Sequence, residues 1–98
     1  METNLNMRLI AESGSVISSC FEAMNEYEKN DKVTMEKKML EAKDILNLAM
    51  QTEANVRKMN SDFDKMDSDL LTTQAQTYLH LANMQLMNTE TFLRLLNK

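Results

Sequence analysis

Residues 35–50, MEKKMLEAKDILNLAM, carry the clearest pattern in the chain. Met35, Met39, Ala42, Leu46 and Ala49 recur at alternating steps of four and three, the spacing that keeps side chains on one side of an α-helix. A half-buried strand would instead alternate at every second residue. The same rhythm continues through Val56 and Met59, interrupted by Glu53. Leu40, Ile45 and Leu48 widen the apolar face beyond a two-position seam, so this helix is expected to meet more than one neighbour. The stretch predicts a helix over residues 32–60 and a bundle rather than a bare hairpin.

Working outward, Ile10, Ser13, Ile17, Cys20 or Phe21, Met24 and Tyr27 form a heptad-like stripe that predicts a first helix over 4–28. It ends at EKNDKVT, residues 28–34, where Asn30 and Asp31 tolerate turn conformations and can cap the next helix. The second break falls in NSDFDKMDSDL, residues 60–70, which lacks Gly and Pro but supplies Asn60, Ser61, Asp62, Asp67 and Ser68 as caps. A turn is expected between Ser61 and Asp67, followed by a third helix over 68–97.

That third helix carries two stripes. Ala75, Leu79, Ala82, Leu86, Leu93 and Leu96 are expected in the core, and Gln74, Thr77, Leu81, Met84, Asn88, Thr91 and Leu95 lie beside them. A solvent face is usually charged, yet from Leu70 to Thr89 there is no Lys, Arg, Asp or Glu. Helices of this length span roughly 35 to 45 Å and have more flank than one three-helix bundle buries. The mixed stripe is therefore expected to be covered by copies of the chain, in a homo-oligomer.

Composition agrees with this outline. Ninety-eight residues at 43% hydrophobic content fit a single domain, 1–98, with a modest core. No Pro, one Gly and 5% aromatic residues favour helix over strand and turn. The expected class is all-α: an antiparallel three-helix up-down bundle. A net charge of -4, with no basic cluster on one face, opposes nucleic acid as a partner. There is no apolar run of the roughly 20 residues that cross a bilayer and no secretion-leader pattern, so the chain is expected to be soluble and cytoplasmic, without membrane insertion.

The residues that could do chemistry are few. Cys20 cannot form an internal disulfide alone, and on an apolar stripe it reads as a small buried hydrophobe. His80, the only histidine, lies about 600° of rotation from Gln74 and has no Cys, Asp or Glu three or four residues away, a poor arrangement for metal binding or proton transfer. The acidic run Asp62, Asp64, Asp67, Asp69 lacks the glycine and terminal glutamate of a calcium loop and reads as a solvated turn. Met35, Met39, Met59 and Met84 read as gap-filling core. No phosphate-cradling loop, nucleophile elbow or Cys-x-x-Cys pair is present, and no metal or cofactor is expected. Gly14, inside the first helix, is expected to mark a close helix contact.

Three segments together resemble the enzyme IIA component of the lactose/cellobiose-type sugar phosphotransferase system: LIAESGSVISSCFEAM (9–24), MLEAKDILNLA (39–49) and QAQTYL (74–79). The resemblance runs to the C-terminus without a gap. It implies a trimer of three-helix subunits, a nine-helix bundle. It also implies a phosphoryl relay in which a histidine on the third helix accepts the group from the phosphocarrier HPr and passes it to the IIB component. The family motif reads His, small residue, Gln, Asp, His, Leu; here Gln74, Ala75, Gln76, Thr77, Tyr78 and Leu79 stand in those places.

The departures fall on the chemistry. An amide nitrogen, its lone pair delocalised into the carbonyl, cannot replace imidazole as a nucleophile, so Gln74 is not expected to carry the phosphoryl group. Thr77 takes the place of the aspartate that the family clusters at its axis with a metal ion, which replaces a hard carboxylate by a neutral hydroxyl. Removing three like charges from that axis also removes their repulsion. The expected protein is a IIA-like trimer with an inactive site, Thr77, Tyr78, Leu81 and Met84 at its axis or partner surface, and a binding or regulatory role toward HPr or IIB. Whether any enzymatic activity remains is open at this point. The alternative is a non-enzymatic helical-bundle interaction protein, such as a secretion or flagellar-type chaperone, whose mixed stripe takes a partner helix.

Overall fold

The structure is a computed structural model that describes residues 2–60 and 69–96. Three α-helices make up the described residues, with no strand among them: α1 Glu2–Glu28, α2 Lys32–Asn60 and α3 Asp69–Leu96. The turn expected at Ser61–Asp67, and most of the acidic run, lie outside the described residues. Without Pro, nothing interrupts the helices internally. None of the described helices is long and apolar enough to cross a membrane.

The turn between α1 and α2 is made by two residues. Asn30 takes a left-handed conformation (φ 65°) in the place where glycine commonly ends a helix. Its amide donates to the Tyr27 carbonyl at 3.0 Å and the Asp31 amide to the Glu26 carbonyl at 2.9 Å, which satisfies the last carbonyls of α1. Asp31 then opens α2: its Oδ1 accepts from the Thr34 amide at 3.0 Å and its Oδ2 from Thr34 Oγ1 at 2.7 Å. So short a turn forces α2 to run antiparallel to α1. Helix α3 runs alongside α1 in the same direction, since Asn6 meets Thr72 at one end and Tyr27 meets Leu96 at the other.

Helix α1 packs along both other helices, whereas α2 and α3 touch each other least. The result is an elongated body of 51 × 18 × 15 Å. On α2 the buried positions Met35, Met39, Ala42, Leu46, Ala49 and Val56 belong to the stripe read from the sequence, with Thr52 added, whereas Met59 at its end, expected in the core, is only half-buried. Leu40 and Leu48, expected to meet a second neighbour, are exposed within the single chain, and Ile45 is half-buried.

On α1 Ser13 and Cys20 of the expected stripe are buried, whereas Ile10, Ile17 and Met24 give way to Leu9, Val16 and Ala23, each one position earlier. The buried residues are Asn6, Leu9, Ser13, Val16, Ser19, Cys20 and Ala23, while Ile10, Ile17, Met24 and Tyr27 flank them half-buried and Phe21 is exposed. Both sets have helical spacing; the small side chains of Ser13, Cys20 and Ala23 let the helices approach, and the bulkier set brackets the contact. Gly14 is also corrected: it is exposed, and a Cβ added there would meet nothing within 4 Å. It marks no close contact with the described residues of this chain.

Two measurements follow. Hydrogen bonds from the Thr34 amide and then the Thr34 hydroxyl hold the Asp31 carboxyl below the usual carboxylate range. A lowered value in the folded state means the contribution is present above the ordinary carboxylate range and is lost as pH falls through the lowered value. Asp31→Ala is therefore expected to lower the thermal midpoint at pH 7, with the gap to wild type closing in acid, as thermal melts followed by circular dichroism will show. The Cys20 thiol is buried in the main core cluster, and that burial pushes its pKa up. Cys20 is expected to resist a thiol reagent in the native protein and to react stoichiometrically in denaturant.

Candidate functional site

Helix α3 is held from one side. Thr72, Ala75, Ala82, Leu86, Thr89 and Leu93 are buried against the other helices and Leu79 is half-buried. At its start, Asn6 Nδ2 of α1 donates to Thr72 Oγ1 at 3.0 Å, a buried bond two residues ahead of Gln74. Near its end, Tyr27 Oη donates to the Leu96 carbonyl at 3.3 Å, although Leu96, expected in the core, is itself exposed. These contacts fix the rotation of α3 and so decide what its other side presents.

That other side is the mixed stripe. Leu70, Gln74, Thr77, Leu81, Met84, Asn88, Thr91 and Leu95 are all exposed in the single chain, with Leu70 at 73% and Leu95 at 58%. Met84 thus belongs to this surface and not to the core. Its apolar members Leu70, Leu81, Met84 and Leu95 thus stand in water, with no charged residue between 70 and 89 to interrupt them. On the neighbouring face of α1, Met7 and Phe21 are also exposed, one heptad either side of Gly14.

Gln74, Thr77, Tyr78 and Leu81 share one shallow hollow of about 390 Å³ with Thr73. The Thr77 hydroxyl donates to the Thr73 carbonyl of its own helix at 2.9 Å, which commits its proton and leaves its oxygen as an acceptor. The hollow therefore holds an amide, two threonine hydroxyls and a phenol, with no imidazole, thiol, amine or carboxylate among its lining residues. Met84 lies further along the same stripe and does not line this hollow.

His80 is on a different side of α3. It lines the groove between α2 and α3 together with Leu46, Met50, Glu53, Gln76, Leu79 and Asn83. Glu53, read from the sequence as an interruption of the apolar stripe, is the organising group here. Its Oε2 accepts from Gln76 Nε2 at 3.3 Å and pairs with Arg57 Nε at 2.8 Å. The signal for this was present in the sequence, since a lone charge inside an otherwise apolar rhythm is expensive unless partnered; that Gln76 supplies a partner follows from the tertiary fold. Further along the groove, Lys43 Nζ and Glu90 bridge α2 and α3 at 2.6 Å. Among the described residues, no group of three His, Cys, Asp or Glu side chains is placed to hold a metal ion.

Comparison with family models matches residues 4–98 to the family described as "PTS system, Lactose/Cellobiose specific IIA subunit". Neither the curated proteins nor the solved structures yielded a match.

Proposed function

The chain belongs to the lactose/cellobiose-specific IIA family of the sugar phosphotransferase system, and from that premise we propose that it is a IIA-like subunit that engages the partners of the relay without carrying the phosphoryl group. The observation that supports this reading most is the content of the hollow around Gln74. The position that the family uses for its phosphoryl-accepting histidine holds an amide, and Thr77 and Tyr78 beside it supply neither imidazole nor carboxylate.

A phosphoryl acceptor needs an available lone pair on a polarisable nitrogen, oxygen or sulfur. Gln74 lacks one on its nitrogen, the hydroxyls of Thr73, Thr77 and Tyr78 have no base among the residues lining the hollow to take their protons, and the one histidine of the chain sits in the separate α2–α3 groove. What such a chain retains is surface. In this reading it assembles as a homotrimer through the uncharged stripe of α3, with Thr77, Tyr78, Leu81 and Met84 at or beside the axis, and offers HPr or a IIB component a docking face in the cytoplasm. Gly14, where an added Cβ would meet nothing within 4 Å among the described residues, is then free to admit a helix of another copy between Met7 and Phe21.

The test incubates the protein with phosphoenolpyruvate, enzyme I and HPr, and follows its mass. No stoichiometric phosphorylation is expected, whereas a phosphohistidine at His80 would overturn the inactive reading. Sedimentation velocity on the same preparation is expected to give a trimer, and Leu81→Asp a monomer of unchanged helix content, because Leu81 is exposed in the single chain.

A further inference from the structure

The core of this bundle is divided. One cluster, on the side of the α1–α2 turn, has Val16, Cys20, Met39, Leu46, Leu86 and Leu93 among its buried members. The other, toward the start of α3, consists among the described residues of Leu9, Ala49 and Ala75. Leu79 packs against both, and Val56, further along α2, is fully buried without joining either. The end of the molecule that carries Gln74 is thus built on much less apolar contact than the turn end.

Buried polar groups concentrate at that same end. Asn6, Ser13, Thr52 and Thr72 are buried there, against Ser19 and Thr89 toward the turn. Asn6 Nδ2 donates to Thr72 Oγ1, but Asn6 Oδ1, the Ser13 hydroxyl and Glu12 Oε1 are buried without a hydrogen-bond partner among the described residues. A polar group taken out of water unpaired is destabilising, and opening this end returns all three to water. The turn end is closed instead by the Asn30 and Asp31 bonds and by Tyr27 on the Leu96 carbonyl. Gly14 stands at the boundary, between Leu9 of one cluster and Val16 of the other. Glycine loses more backbone freedom in a helix than any other residue, so α1 is weakest where the two clusters part.

We infer that α1 is jointed at Gly14 and that the end bearing the hollow at Gln74 opens as a unit of its own. Residues 6–13 of α1, 49–59 of α2 and 73–79 of α3 separate while the larger cluster stays packed. The glycine that no close contact explains, the divided core and the three unpaired polar atoms meet at one place in the fold. Gln74 and Thr77 ride on the opening unit, so the shape of their hollow depends on a local equilibrium. A molecule that binds only the closed form shifts that equilibrium toward it.

The experiment measures native-state amide exchange residue by residue by nuclear magnetic resonance on the full chain. Residues 6–13, 49–59 and 73–79 are expected to share one protection level, roughly tenfold or more below that of 16–28, 35–46 and 82–93, with the step in α1 at Gly14. Ala23→Gly, in the larger cluster, is expected to speed exchange at the turn end roughly fivefold and to leave the Gln74 end unchanged. Ser13→Ala is expected to slow the Gln74 end by roughly fivefold, more than the about twofold that helix propensity alone supplies. Protection that declines smoothly toward the helix ends, or an Ala23→Gly protein in which both ends speed up equally, overturns the joint. A Ser13→Ala change of about twofold or less overturns the part given to the buried hydroxyl.

Discussion

The narrow contact that α1 makes with its two neighbours governs the rest of this structure. Leu9, Ser13, Val16, Cys20 and Ala23 are small or compact and fully buried, so α1 lies close to both α2 and α3. Because α1 fills the centre, α2 and α3 are held apart, and a groove remains between them that the Lys43–Glu90 pair bridges. Exposed ion pairs of this kind add little to stability, typically below about 1 kcal/mol. The bundle is therefore held by burial along α1, and the charged pairs decorate its surface.

The same contact fixes the rotation of α3. With Ala75, Ala82, Leu86 and Leu93 turned inward, the stripe that includes Gln74, Thr77 and Leu81 must point outward, and His80 must point into the α2–α3 groove. The separation of the imidazole from the hollow at Gln74 is thus a property of helix geometry. A side-chain rotation at His80 could not carry it around the helix to the hollow at Gln74. The hollow at Gln74 is lined by Thr73, Thr77, Tyr78 and Leu81, without an imidazole or a carboxylate among them.

Much of this was legible in the sequence where one interpretation of the apolar rhythm excluded the others. On α2 the charges fall between the apolar positions, and the buried stripe is the one expected. On α1 two adjacent stripes share the same period: Ile10, Ile17 and Met24 were expected beside Ser13 and Cys20, yet Leu9, Val16 and Ala23, one position earlier, are the residues fully buried with them. Hydrophobicity ranks what burial would gain, but closeness of helix approach selects the small side chains. Asn30 and Asp31 were recognisable because left-handed backbone and capping belong to few residue types. Glu53 with Gln76 was not, since the pair joins residues of different helices. The candidate site was legible only as a contrast with a family motif; composition and spacing alone describe Gln74 and Thr77 as an uncharged stripe.

The central claim is that the hollow around Gln74 is the family's phosphoryl-accepting site with its reactive groups replaced. Its most direct test is the gain of function in the double variant Gln74→His and Thr77→Asp, followed by mass spectrometry after incubation with phosphoenolpyruvate, enzyme I and HPr. Phosphoryl uptake at position 74, absent from the wild-type chain, is the result this account predicts. A double variant that folds and assembles but takes up no phosphoryl group would contradict it.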